Sequence, residues 1–236
     1  MIYQRTRIPT LGVFSLLLLL APPLLSRAEP PQKQEIYHLL QTHRYPEAEQ
    51  SATVYLKTHP EDCSARAMLG LSLRGQQKLE PAYKAFHAAI DRCPKSLAAV
   101  EGAAEAAFLL TRPDAKDLLS MVLTLHPGDA TSYAMLGAVD ARTGDCAGAV
   151  ENYGKASNRI NENAAALRQY AGCLLALNKA AEAVPVLRQL LSLKDDTVSR
   201  VALARAQDKA GDSKSALATL QPLLVPDVND GTALLL

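Results

Sequence analysis

The sequence predicts an all-α protein built as a solenoid of about six helix-turn-helix repeats. Alanine and leucine, both strong helix formers, each occupy 39 of the 236 positions. Small and apolar residues return along the chain at a period of 34, twice shortened to 33. The 12 Gly and 14 Pro suit many short connections rather than a disordered or collagen-like chain.

Residues 1–28 have the pattern of a cleavable export signal. Two arginines precede an apolar run over 11–25, and Ala28 places a small side chain directly before a cut at Glu29. The run is shorter than the roughly 20 residues that a membrane-spanning helix needs. We therefore expect an exported chain, periplasmic or extracellular, whose first residues over 29–32 form a proline-rich spacer.

Cleavage changes the charge of the chain. The full sequence carries 25 Lys and Arg against 24 Asp and Glu, and the export signal contains three arginines and no acid. The remaining 22 basic and 24 acidic residues give a net charge of −2. This balance does not favour a nucleic-acid partner. No second segment is apolar and long enough to predict an integral membrane span after cleavage.

The repeat is clearest between 62–94 and 129–161, which follow one template with gaps of 1, 3, 9, 4, 3 and 5. Small residues recur where two helix backbones must approach closely, and an aromatic residue fills the space between units. The template positions are Leu69, Gly70, Leu73, Ala82, Phe86, Ala89 and Pro94, then Leu136, Gly137, Asp140, Ala149, Tyr153, Ala156 and Asn161.

This template resembles the tetratricopeptide repeat (TPR), whose hallmarks are Leu-Gly in the first helix, Ala and an aromatic residue in the second, and Pro at its end. The resemblance implies a right-handed α-solenoid over 33–228, with first helices lining a concave face that binds peptide segments. We expect 229–236 to start a further helix or to fold against the last repeat. The expected repeats span 33–60, 61–94, 95–127, 128–161, 162–195 and 196–228.

The repeat boundaries lead to two expectations about individual residues. Pro185 lies about one turn inside the second helix of the fifth repeat, which predicts a kink or a late start of that helix. Asp195 and Asp196 precede the first helix of the sixth repeat, and we expect them to cap that helix rather than to act as an acid–base pair.

Four cysteines follow the export signal, an even number in a chain bound for an oxidising compartment. Antiparallel helices bring one helix start close to the next helix end, which favours two disulfides: Cys63 with Cys93, and Cys146 with Cys173. Reduced, buried thiols are the alternative. A redox or metal site is disfavoured, because the chain has no C-x-x-C motif.

The common local signatures of catalytic, phosphate-binding and calcium sites are absent from the sequence, and its five His are scattered. We therefore expect a non-enzymatic protein with no cofactor and no metal site. The leading hypothesis is an exported scaffold that binds a protein or peptide segment. Two alternatives remain open: an N-terminal docking or regulatory region of a larger exported enzyme, and a carrier of a small molecule or lipid.

Counting helical turns from the regularly spaced small residues, we assign side chains of the first helices to the concave face. Chaperone-binding TPR proteins hold a terminal carboxylate with Lys and Asn at positions of this face that are alanine here, which argues against that subfamily. These alanines are Ala67, Ala99, Ala103, Ala134 and Ala138. The charged members of the face are nearly all basic, which favours an acidic segment or a C-terminal carboxylate as ligand; alternatively, these side chains only solvate a helix face. The nominated groove residues are Leu71, Arg74, Ala134, Ala138, Arg142, Arg168, Gly172, Leu175, Arg205 and Lys209.

Overall fold

The computed structural model describes residues 31–224, which form twelve α-helices, one short 3₁₀ helix and no β-strand. The predicted export signal over 1–28 and the predicted C-terminal segment over 229–236 lie outside the described residues. The helices are α1 (Pro31–Gln41), α2 (Tyr45–Thr58), α3 (Cys63–Gly75), α4 (Leu79–Ile90), α5 (Leu97–Leu109), α6 (Ala115–Leu125), α7 (Ala130–Thr143), α8 (Cys146–Ala156), the 3₁₀ helix (Ser157–Ile160), α9 (Ala164–Ala176), α10 (Ala180–Leu193), α11 (Thr197–Lys209) and α12 (Ser213–Leu224).

Successive helices pack against each other along the whole described chain, so six helix pairs stack in one row. This arrangement confirms the predicted all-α solenoid. α1 begins at Pro31, inside the predicted spacer over 29–32. A helix accepts proline in its first turn because the missing N–H would have no helical partner there.

Each helix pair turns through one residue with a left-handed backbone. Glycine suits this conformation because it has no Cβ, and asparagine tolerates it better than most residues. The turn residues recur at the spacing of the sequence repeat, so one backbone geometry closes every described pair. Their φ values are 57° at His43, 61° at Gln77, 55° at Thr111, 82° at Gly144, 60° at Asn178 and 88° at Gly211.

Of the two effects expected from Pro185, a kink or a late start of its helix, the late start is wrong. α10 begins at Ala180 and continues through Pro185 to Leu193. The proline removes the hydrogen bond to the carbonyl of Ala181, but Ala181 is exposed, so water can satisfy that oxygen.

Aromatic side chains of the second helices fill space that glycines leave open. Phe86 is fully buried, and a Cβ added at Gly70 or Gly102 would lie 2.6 Å or 2.3 Å from its ring. In the fourth pair, a Cβ at Gly137 would lie 2.8 Å from the ring of Tyr153. The small residues of the template therefore let helices approach around one aromatic ring per unit, as the sequence predicts.

Both predicted cysteine pairs are joined in the structure. The Cα atoms of Cys63 and Cys93 are 6.1 Å apart, and those of Cys146 and Cys173 are 4.8 Å apart. Both distances suit a disulfide. The first bond closes one helix pair on itself, whereas the second links α8 to α9 and so joins two neighbouring pairs.

Side-chain oxygens cap four first helices of the described chain. Each accepts a hydrogen bond from a backbone N–H of the first turn, which otherwise has no helical partner. Asp196 performs this role for α11, as predicted, while Asp195 accepts a hydrogen bond from Arg200 Nη2 at 2.5 Å. The capping contacts are Asp62 to Ala65 N at 2.9 Å, Asp129 to Ser132 N at 2.7 Å, Asn163 to Ala166 N at 3.1 Å and Asp196 to Ser199 N at 2.7 Å.

The cap at Asp196 should make α11 sensitive to acid. The hydrogen bond from the backbone N–H of Ser199, with Lys194 Nζ 3.3 Å away, lowers the pKa of Asp196 from 3.8 to about 2. A depressed carboxyl pKa stabilises the fold fully above the unfolded-state pKa near 4, and this contribution disappears as the pH falls through about 2. We expect an NMR carboxyl titration midpoint near 2, and a weaker acid dependence of unfolding in Asp196→Asn, which keeps the cap acceptor but does not titrate. A midpoint near 4 would contradict the cap.

Candidate functional site

Two hollows open on the inner face of the solenoid, one on each side of α7. α3 packs directly on α5, and α7 packs directly on α9, but α5 and α7 make little direct contact. The α5–α7 hollow encloses about 430 Å³ and the α7–α9 hollow about 370 Å³. Thr131 and Met135 of α7 line both of them. We call the two hollows together the inner groove.

The α5–α7 hollow is apolar at its base and acidic at its rim. Leu119 and Val122 of α6 are buried beneath it. Its ionisable lining consists of one base and three acids: Arg74, Glu101, Glu105 and Asp129.

The acids of this hollow are held in different ways. Arg74 forms an ion pair with Glu105, and Glu101 Oε1 lies 3.8 Å from His126 Nδ1. Burial raises the pKa of Asp129, but hydrogen bonds from Ser132 outweigh it and leave the pKa below its ordinary value. Asp129 is therefore ionised at neutral pH, and the hollow has an excess of negative charge.

The α7–α9 hollow is basic. Ala134 and Ala138 keep it open because their side chains are small. The Arg142 guanidinium lies 5.1 Å from the ring centroid of Phe108, and Arg159 is exposed at the rim. No acidic residue of the described chain lines this hollow, whose lining is Phe108, Thr131, Ala134, Met135, Ala138, Arg142, Arg159, Ile160, Asn163, Ala165, Ala166 and Gln169.

Solved structures of TPR proteins share this architecture. YrrB, described as a TPR protein with an unusual peptide-binding site, matches with a TM-score of 0.61 at 17% identity, over 72% of this chain and 89% of YrrB. The fold is TPR-like. PilF of Pseudomonas aeruginosa matches with a TM-score of 0.57 at 18% identity, over 82% of this chain and 90% of PilF. PilW, described as a widely conserved type IV pilus biogenesis factor, matches with a TM-score of 0.54 at 15% identity, over 81% of this chain and 91% of PilW.

Comparison of the amino-acid sequence with family models and with curated proteins finds no match. The similarity to solved structures therefore concerns the fold.

The structure divides the nominated groove residues between several surfaces. Leu71 and Arg74 line the α5–α7 hollow, and Ala134, Ala138 and Arg142 line the α7–α9 hollow. The remaining nominated residues line neither hollow: Arg168, Gly172, Leu175, Arg205 and Lys209.

These remaining residues have separate surroundings. Arg168 Nη2 lies 4.0 Å from Asp196 Oδ2. Leu175 packs partly into the core, whereas Gly172 and Lys209 are exposed. Arg205 lines a third hollow of about 330 Å³ between α11 and α12, at the last described helix pair.

Three alanines expected at the concave face are instead buried. Ala67 is 3% exposed, and Ala99 and Ala103 are fully buried. Ala67 and Ala99 pack together with Ala89 of α4, which shows that they serve contacts between helix pairs.

On α5, Ala98, Glu101 and Glu105 are among the residues that line the α5–α7 hollow, and Phe108 lines the α7–α9 hollow; sequence reasoning missed all four. The inner face is consequently mixed in charge rather than nearly all basic. The one sequence signal for Glu105 is an opposite charge 31 residues earlier, at Arg74, close to one repeat length. Met135 and Arg159 have no comparable signal.

The described chain shows no metal centre and no membrane-spanning helix. Within residues 31–224, no three His, Cys, Asp or Glu side chains converge so as to hold a metal ion. In the same range, no helix is both long and apolar enough to cross a bilayer.

Proposed function

We propose that this protein is a scaffold that binds a segment of another protein in its inner groove. The observation that carries the proposal is the pair of adjoining hollows around α7, of which Ala134 and Ala138 keep the α7–α9 hollow open. Small side chains at a helix surface leave room for a ligand, and nearby charged groups can fix its orientation. The similarity to YrrB, whose description mentions a peptide-binding site, supports the same role.

The proposed role is non-enzymatic. Several polar groups of the inner groove already serve the fold: Asp129 caps α7, Arg74 pairs with Glu105, and Arg142 lies over Phe108. Neither His nor Cys lines the hollows in the described chain. The groove therefore offers shape and charge, which suit binding, rather than a nucleophile beside a base.

We further propose that the protein acts outside the cytoplasm, in the periplasm or extracellularly. The signal-like pattern of residues 1–28 supports this location. The two cysteine pairs support it independently, because disulfides persist in oxidising compartments and are rare in the cytosol.

A photo-crosslinking amino acid in place of Met135 tests the binding site. A matched variant carries the same group in place of Lys84, which is exposed on α4. In the source cell we expect one polypeptide segment, identified by mass spectrometry, to crosslink from position 135 and not from position 84. Equal crosslinking from both positions would contradict a role for the inner groove.

A synthetic copy of that segment then permits a binding measurement. Ala138→Arg fills the α7–α9 hollow and should weaken binding by about tenfold or more, because it occupies the centre of the interface. Ala218→Arg, on the exposed side of α12, is the matched control and should leave affinity unchanged. Unchanged affinity in Ala138→Arg would overturn the proposal, provided that circular dichroism shows the variant to be folded.

A further inference from the structure

We infer that the inner groove selects a polypeptide segment of opposite charges, with Lys or Arg placed in the α5–α7 hollow and Asp or Glu in the α7–α9 hollow. The inference rests on the proposed function and adds the chemistry of the ligand. It replaces the uniformly acidic ligand that the sequence favours.

The acidic side is the α5–α7 hollow. Glu101 is exposed there, and its only ionic neighbour among the described residues is His126 at 3.8 Å, which bears a charge only when protonated. Glu105 and Arg74 neutralise each other, while Asp129 keeps its charge at neutral pH. A ligand cation would therefore meet the carboxylate of Glu101, which has no permanently charged partner among the described residues, beside the ionised N-cap Asp129.

The basic side is the α7–α9 hollow. Arg142 contacts Phe108 and donates to the Thr111 hydroxyl at 3.4 Å, so its position is fixed without a carboxylate partner. Arg159 stands exposed on the other rim. A guanidinium can bind a carboxylate through two parallel hydrogen bonds, which makes this pair a suitable receptor for Asp or Glu.

Met135 and Thr131 separate the two charged sides and are common to both hollows. A thioether adapts to varied apolar side chains, so a small or apolar residue of the ligand fits here. Directly packed helices such as α7 and α9 lie about 8–10 Å apart, and α5, which makes little direct contact with α7, lies farther from it. An extended chain rises about 3.3 Å per residue, so the two charged ends of an extended ligand should be separated by about three residues or more.

Mixed charge also determines which ligands bind poorly. A polyanion, or a uniformly acidic peptide, would place negative charges next to Glu101 and Asp129. The repulsion would lower its affinity relative to a ligand of mixed charge. The contribution of each exposed pair is small and sensitive to salt. The effect of the charges is therefore on selection and orientation more than on affinity.

Two synthetic peptides of the same composition test the inference. One has two charge blocks, Lys-Lys-Ala-Leu-Ala-Glu-Glu, and the other mixes the charges, Lys-Glu-Ala-Leu-Ala-Lys-Glu, both with blocked ends. Dissociation constants come from the NMR shifts of groove amides during titration. We expect the block peptide to bind about threefold or more tightly than the mixed one at low salt, and the difference to vanish at high salt.

Charge variants locate the effect. Glu101→Lys and Arg159→Glu should each reduce the preference for the block peptide, and the double variant should abolish it. Glu35→Lys and Lys84→Glu, at exposed positions on α1 and α4, are the matched controls and should preserve it. Equal affinity of the two peptides, no shift of groove amides with either, or an unchanged preference in the double variant would overturn the inference.

These outcomes are separate from those that test the proposed function. If the crosslinked natural segment still loses affinity in Ala138→Arg while Glu101→Lys and Arg159→Glu have no effect on it, the groove binds a segment but does not select by charge.

Discussion

Replacing Phe86 with alanine is expected to lower the free energy of unfolding by about 3–5 kcal/mol, the usual cost of deleting a buried aromatic ring. The ring is fully buried between Gly70 of α3 and Gly102 of α5. Neither glycine has a side chain that could move into the cavity. The loss therefore falls at the junction of the second and third helix pairs.

Urea unfolding monitored by circular dichroism measures this loss. The matched control is Tyr37→Ala, since Tyr37 is an aromatic residue that is 54% exposed on α1. It should change stability by no more than about 0.5 kcal/mol. A Phe86→Ala protein as stable as the control would show that the aromatic ring does not hold the stack together.

Replacing both Cys63 and Cys93 with alanine is expected to cost about 3–4 kcal/mol in the chain-entropy model of disulfides. The bond joins residues 30 apart and closes the pair α3–α4. Its removal gives the unfolded chain more freedom, while the packing of α3 on α4 stays. Cys146→Ala with Cys173→Ala should cost a similar amount, because those residues are 27 apart.

Urea unfolding of the two double variants against the oxidised parent checks these values. Alkylation of the natural protein before reduction is the accompanying control, and it should label no cysteine. Four labelled thiols in the natural protein would contradict both the disulfides and the proposed oxidising compartment. Unchanged stability in either double variant would contradict the assigned cross-link.

The sequence predicted those features that depend on spacing along the chain. A period near 34 is enough to place six helix pairs, because each turn and cap repeats with it. The pairing of Cys146 with Cys173 follows in the same way, since antiparallel neighbours bring these positions together. Asp196 was predictable as a cap because Asp commonly stands directly before the first turn of a helix.

The groove lining on α5 was not predictable to the same degree. Each residue turns a helix by about 100°. An error of one position therefore replaces Glu101 with Val100 or Gly102 and Glu105 with Ala104 or Ala106, all of which are buried. α5 is rich in buried alanine on several sides, and it therefore has no polar stripe that would fix the register. The gap between α5 and α7 arises from how successive pairs stack, which no local pattern encodes.

The most direct test of segment binding in the inner groove uses the methionine methyl groups as reporters. Of the three methionines in the described chain, Met135 lines both hollows, whereas Met68 and Met121 pack elsewhere, against the cores near α2 and α6. On titration of ¹³C-methyl-labelled protein with the crosslinked segment as a synthetic peptide, we predict a saturable shift of the Met135 methyl resonance and little change at the other two. A shift at Met68 or Met121 with none at Met135 would contradict binding in the inner groove.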